Sequence, residues 1–488
     1  MLPQAQKTPE KSLARFLGVA SIKTPSKRYR SSFLSCSSSF LRMSLSQSMI
    51  NCEMTFEPTM SSKVSKISTV ATSLLSPVWG AVTVDILHCL KKFYNIKVEI
   101  MTYKDALKYL DWLAVFGIKE GLERINQLVE KLGEPQNFYD TVHVAGTNGK
   151  GSTCAMLAEI LHAAGLNVGL FTSPHLVSYC ERISVNGENI SESDFAAQIE
   201  RVKNCGVECT HFEALTAAAF DYFKRRHVDI AVIEVGLGGT LDSTNVITPK
   251  VAVITNVALD HENILGDLKS IAQNKAGIIK PNVPTVTGAT GEPLKIIRDV
   301  AAENNSTLYE VTAPVDVKIN LRGEYQKLNA AIAIQTAKVL GISDENISAG
   351  LERVHWAGRF EFIDTPNGRV IIDGAHNPHG AAALRQSLDS CFPTGKRTWL
   401  FGVLADKNFD AMIDILFRKG DFVIVTPPNS NRAAQVEIIC ERLTSRGIDN
   451  IGEKNLSNAV EKLLQAGEIK IAAGSLYLIG DVRKLIMA

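Results

Sequence analysis

Residues 142–153 read Val-His-Val-Ala-Gly-Thr-Asn-Gly-Lys-Gly-Ser-Thr: a short apolar run breaks into glycines and ends in small hydroxylated residues. A strand running through a tight turn into a helix is the arrangement this pattern supports. Gly146, Gly149 and Gly151 let the backbone fold back so that amide N–H groups face an anion. Lys150 adds a mobile positive charge suited to outer phosphates, and the hydroxyl of Ser152 or Thr153 can reach a phosphate-bound Mg²⁺. The strict phosphate-loop spacing is not kept, because Val144 stands where its first glycine belongs and Gly151 follows the lysine. A chain carrying this turn is constrained to an α/β architecture with the ligand at the carboxyl edge of a parallel sheet.

The rest of the chain is compatible with that constraint. Its 488 residues suffice for two or three domains, with 45% hydrophobic and 21% charged residues. A net charge of +1 gives no field for nucleic acid, and no apolar run is long enough to span a bilayer. The nine cysteines show no C-x-x-C pair and read as reduced thiols. Residues 1–60 differ in composition. Up to Ile50 there are eight Lys or Arg, twelve Ser and a single acid, Glu10. Such a segment reads as a disordered transit peptide, for a mitochondrion before a plastid, with a cytosolic tail as the alternative. Residues 61–101 form an extension whose structure the sequence leaves open.

From residue 102 onward, helical spacing alternates with short apolar runs. Residues 106–116 and 122–132 predict helices, and the second places Leu122, Ile125, Leu128 and Leu132 on one face before Gly133. Strands are expected at 168–171, 229–235 and 251–257, and helices at 152–164 and 213–226, with Ser191 and Asp194 opening another. The pattern changes near Trp356-Ala357-Gly358-Arg359, where a second βα series begins, with strands expected at 370–373, 400–402, 422–425 and 476–479. The fold class expected is thus α/β: a P-loop-type, mostly parallel sheet domain over 102–355, followed by a smaller Rossmann-like α/β domain over 356–488.

Polar clusters fall at the ends of these elements. Thr172-Ser173-Pro174-His175 follows one strand, and His261 follows another in Ala258-Leu259-Asp260-His261. Glu213 opens a helix. A carboxylate and an imidazole can complete the coordination of Mg²⁺, but a glutamate at a helix start is equally what the macrodipole favours. Glu234-Val-Gly-Leu-Gly-Gly239 permits close approach of a ligand, or is simply a tight turn. Lys275 reads as an exposed lysine at a helix end. Gln326 and Asn329 place amides at a helix start, suited to an adenine edge, and the Arg359 guanidinium at the hinge can reach phosphates from the opposite domain. In Asp373-Gly374-Ala375-His376-Asn377-Pro378, Asp373 can bind ribose hydroxyls and His376 can approach a γ-phosphate.

Taken in order, the motifs G-T-N-G-K-G-S at 146–152, T-S-P-H-L at 172–176, E-V-G-L-G-G at 234–239, D-H-x-x-x-L-G at 260–266, K-A-G-I-I-K-P at 275–281 and D-G-A-H-N-P at 373–378 resemble the folylpolyglutamate synthase and dihydrofolate synthase family, within the Mur ligase group. The resemblance covers roughly residues 103–485. It implies an ATP-dependent ligase that converts a carboxylate into an acyl phosphate and couples it to the amine of glutamate. It further implies that Gly146, Thr147, Asn148, Gly149, Lys150, Gly151 and Ser152 cradle ATP. Arg359 would neutralise phosphates beside Lys150, and Asn329 and Asp373 would hold the nucleoside. Ser152, Ser173, Glu213 and His261 would hold two Mg²⁺ ions, and His376 would line the phosphate side of the cleft. Lys275 matches a lysine the family carries as a carbamate.

Two positions depart from the family pattern: Thr240 stands in place of an arginine, and Asn274 in place of the glutamate before Lys275. The opening at 116–125 looks more like bacterial-type and organellar dihydrofolate synthases than dedicated polyglutamylating enzymes. The expected substrates are therefore dihydropteroate and L-glutamate, handled by a monomer. Polyglutamylation of tetrahydrofolate is the close alternative, and an inactive binding-only relative the remote one.

Overall fold

The computed structural model describes residues 100–488 except Phe116, Ile118, His261 and Ala488. The transit segment, nearly all of the extension after it, and the metal-ligand candidate His261 lie outside the described residues.

The first sheet is built from β1 (Asp140–Ala145), β2 (Val168–Phe171), β3 (Ile183–Val185), β4 (Glu188–Asn189), β5 (Ile230–Glu234), β6 (Val251–Ile254), β7 (Thr285–Thr287) and β8 (Leu308–Glu310). Their spatial order is β4-β3-β2-β5-β1-β6-β7-β8, parallel except where β3 runs against β2 and β4 against β3. The central strands are apolar nearly throughout because helices cover both faces. On one face Leu110, Ile125, Phe195 and Phe220 pack with Phe171 and Ile233. On the other, Met156, Ile160, Ala333 and Leu351 pack with Val142, Val144 and Val232. The helix Lys150–Ala163 belongs to this second layer and lies against the helix Asp344–Arg353 so closely that a Cβ on Gly350 would stand 2.4 Å from Ile160 Cα.

The second sheet comprises β9 (Glu361–Thr365), β10 (Gly368–Asp373), β11 (Arg397–Phe401), β12 (Phe422–Val425), β13 (Asp449–Gly452) and β14 (Ile469–Ala473), in the order β13-β12-β11-β14-β10-β9. Only β9 is antiparallel, pairing with β10 as a hairpin. The molecule is thus a mostly parallel sheet domain followed by a smaller α/β domain, as the alternation of elements predicts.

One expected element is wrong. Residues 476–479 are not a strand but the start of the final helix, Leu476–Met487, and the strand is Ile469–Ala473, entirely buried. A run of four apolar residues has no period of its own, and Gly474, at φ 110°, ends the strand before the helix begins. Among the described residues no helix is long and apolar enough to cross a membrane.

Candidate active site

β1 lies between β5 and β6, so the turn after it emerges at the middle of the sheet's carboxyl edge. That turn is held from one side. The amide of Thr147 donates to Asn256 O (3.0 Å) and that of Asn148 to Asn256 Oδ1 (3.0 Å). The carbonyl of Asn148 accepts from Thr255 Oγ1 (2.7 Å) and Asn256 Nδ2 (2.8 Å). Gly146, at φ 149°, passes so close to Thr255 that a Cβ would stand 1.9 Å from its hydroxyl. Gly149, at φ 81°, turns the chain into the helix Lys150–Ala163, and no side chain caps that helix. Its first N–H groups have no partner within the helix and point out of its positive end, which is the geometry of an anion site. Gly151 departs from the usual spacing for a steric reason: the Trp356 indole lies 3.2 Å from where its Cβ would be.

Charged groups converge on this edge. Glu234, the last residue of β5, is buried and accepts from the Ser173 amide (3.0 Å). Burial raises its pKa, while Lys150 of the turn, the Ser173 amide and Arg359 of the hinge draw it down. Cations from both sheet domains therefore act on one carboxylate. Lys275, expected to be exposed, is 5% exposed and donates to Gly146 O (3.1 Å). Burial, with the nearby charge of Lys150, lowers its pKa to about 7.

Glu213 requires a correction. Its carboxylate accepts from Arg124 Nε (3.1 and 3.2 Å) and from the Thr210 amide (2.7 Å), closing a capping box on the helix His211–Arg225. Arg124 also donates to the carbonyls of Lys119 (2.6 Å) and Glu120 (3.3 Å). Glu213 thus anchors the segment between the first two helices, and Glu234 is the carboxylate beside Ser173 and the turn. A hard cation at this edge would take charge from Glu234 and hydroxyls from Ser152 and Ser173. Ser152 Oγ is oriented by Gln326 Nε2 (3.2 Å). Among the described residues no three His, Cys, Asp or Glu side chains gather.

The second domain closes on the same edge. Asn148 Nδ2 reaches Asn377 Oδ1 (3.3 Å) and His379 Nδ1 (2.9 Å), placing the strand end that carries His376 directly against the turn. The His376 Nδ1 proton is donated to Gly374 O (2.8 Å), which leaves Nε2 as the free lone pair, and burial lowers its pKa to about 4, so the ring is neutral at physiological pH. Asn329 packs on the turn, its Oδ1 2.4 Å from where a Cβ on Gly149 would lie, and bonds Gln326. Asp373, the candidate ribose ligand, ends β10. It is 4% exposed, and its carboxylate already accepts from Tyr325 OH (2.9 Å), Phe360 N (2.8 Å) and Ala375 N (2.8 Å). These bonds fix the hinge around Arg359.

The comparisons accord with this geometry. The chain matches the Mur ligase middle domain over residues 144–288 and the Mur ligase glutamate ligase domain over 358–476. It is 36% identical over 428 residues to the dihydrofolate synthase/folylpolyglutamate synthase of Bacillus subtilis, covering 78% of this chain and 98% of that protein. The chain belongs to the folylpolyglutamate synthase/dihydrofolate synthase family. Another relative is the probable dihydrofolate synthetase of Schizosaccharomyces pombe, 32% identical, with 76% of this chain and 99% of that one covered. Among solved structures, Escherichia coli FolC in complex with DHPP and ADP superposes with a TM-score of 0.73 at 30% identity, covering 78% of this chain and 97% of that one. The bifunctional family enzyme of Yersinia pestis, complexed with AMPPNP and Mn ion, gives 0.73 at 31% identity, covering 79% and 98%.

Within this synthase family fold, the two departures are neighbours. The Thr240 hydroxyl donates to the Asn274 carbonyl (3.0 Å), and the Asn274 side chain packs on Gly238 with its amide oxygen buried and unpartnered. Sequence reasoning singled out the Glu234 motif but not its carboxylate as the charge beside Ser173, and it missed the role of Arg124. The signal available for Glu234 was its place at the end of a wholly apolar strand; a lone arginine or lysine in a loop carries none.

Proposed function

We propose that this family ligase joins L-glutamate to dihydropteroate, forming dihydrofolate, ADP and phosphate. The observation that carries the ligase chemistry is the convergence of Lys150 and Arg359, from the turn and the hinge, on the buried Glu234 beside an uncapped helix start. The pteroate carboxylate attacks the γ-phosphorus of ATP, and ADP leaves as the acyl phosphate forms. The glutamate nitrogen then attacks the acyl carbon, the C–O bond to phosphate breaks, and the nitrogen's proton goes to solvent. Developing charge on the transferred phosphoryl group is met by Lys150, Arg359 and the helix N–H groups. Mg²⁺, held by Glu234, Ser152 and Ser173 together with His261, would neutralise phosphate oxygens. Neutral His376 can accept one hydrogen bond there at Nε2 without adding charge, and Asn329 serves the nucleoside side. Dihydropteroate is favoured by the opening segment that Arg124 ties to Glu213, and by the dihydrofolate synthetase relatives.

ATP-dependent glutamate addition, measured separately on dihydropteroate and tetrahydrofolate with protein truncated near residue 100, tests the choice. Turnover with dihydropteroate is expected; activity on tetrahydrofolate alone overturns it. Lys275 is suited to carbamylation, because a neutral amine attacks CO₂ and the resulting anion would relieve repulsion from Lys150. Carbon-13-labelled bicarbonate should give a carbamate resonance that disappears in Lys275→Ala. A spectrum identical in the two proteins removes the carbamate from the mechanism.

A further inference from the structure

Away from the phosphate turn, one charged pair crosses between the two sheet domains with both members nearly buried. Lys407 Nζ lies 2.7 Å from Asp260 Oδ1, with side-chain exposures of 9% and 11%. Lys407 belongs to the loop after β11, and that loop is built to present it. Leu404 bridges to Ala433, and Asp406 holds Arg432 at 2.7 Å. Asp260 belongs to the loop after β6 and directly precedes His261. Its Oδ2 accepts from Asn377 Nδ2 (3.0 Å) and stands 3.9 Å from His376 Nε2. Asn377 is at the same time the cap of the helix Pro378–Cys391 (Gly380 N to Oδ1, 2.8 Å) and the partner of Asn148 in the turn. The chain of contacts Lys407–Asp260–Asn377–Asn148 therefore crosses between the domains three times and ends on the phosphate turn.

We propose that Lys407 is a positioning residue: by pairing with Asp260 it latches the second domain onto the first, so that His376 and Arg359 are held over the turn during phosphoryl transfer. Losing either member of a buried pair leaves the other charge uncompensated, which favours opening the cleft and rehydrating it. The inference rests on the ligase reading for its kinetic arm only, since docking of the domains is measured without any acceptor.

The test uses the full chain and the variants Lys407→Met and Lys407→Arg. X-ray scattering with a non-hydrolysable ATP analogue and Mg²⁺ should give a larger radius of gyration for Lys407→Met than for the unaltered protein, with nucleotide affinity retained through the turn. Its kcat should fall about ten- to a hundredfold, the scale of a misplaced reacting group. Lys407→Arg, which keeps the pair, should restore both. A Lys407→Met protein equally compact but slow would overturn the latch, because the lysine would then act on substrate directly. So would a rise in KM for glutamate with unchanged kcat, or kcat within about twofold of the original. Should Lys407→Met not fold, Lys407→Gln carries the same readouts.

Discussion

Replacing Lys150 by alanine is expected to lower kcat by roughly three orders of magnitude, the scale on which a positive charge acts on a transferring phosphoryl group. Nothing structural should accompany the loss. Among the described residues the Lys150 amine makes one hydrogen bond, to Thr147 O at 3.3 Å, and the turn is pinned by Thr255 and Asn256 rather than by the lysine. The melting temperature should therefore stay within about 2 °C. The helix start keeps its N–H groups, so nucleotide should still bind, with weaker hold on the outer phosphates. Calorimetric binding of ADP beside steady-state turnover separates the two effects. Near-normal kcat would remove the turn from the chemistry.

The second large effect divides two glutamates. Glu234→Gln keeps shape and volume but removes the charge beside Ser173, so the Mg²⁺ concentration for half-maximal activity should rise by about tenfold or more, with kcat falling roughly a hundredfold. Stability should hold or increase, because a buried amide is cheaper to desolvate than a buried carboxylate. Glu213→Gln should do the reverse. It breaks the pair with Arg124, which is 23% exposed, and weakens a helix cap, for a loss of about 1–3 kcal/mol and a lower melting temperature at unchanged metal dependence. Magnesium titrations and thermal melts of both variants give the answer. A shifted titration in Glu213→Gln, with none in Glu234→Gln, would return the metal to Glu213.

That contrast also marks how far residues alone carry the argument. The strand, turn and helix around Lys150 were legible because each is local: apolar run, glycines and helix start follow one another within a dozen positions. The strands Val168–Phe171 and Phe422–Val425 coincide with their apolar runs for the same reason. Glu234 was not legible as a partner of Ser173, because that depends on β5 lying between β1 and β2, and sheet order is not written in any local pattern. Glu213 misled for the opposite reason: a helix-start glutamate beside Phe212 has the chemistry of a ligand, and only the tertiary placement of Arg124 shows what it holds. Lys275 misled through its charge, since burial beside Gly146 could not be inferred from a helix end. The final strand was displaced into the helix behind it because four apolar residues fit either period.

The pinning of the phosphate turn by Thr255 and Asn256 has a consequence for how this protein meets its nucleotide. Four hydrogen bonds with a neighbouring strand end tie down the amides of Thr147 and Asn148 and the carbonyl of Asn148 during folding itself, and the helix N–H groups that follow are left for the ligand. The entropy of shaping the cradle is lost when the chain folds, not when the ligand arrives. Recognition at this end of the cleft is accordingly rigid, and adaptation to the nucleotide falls to the parts of the site outside the turn.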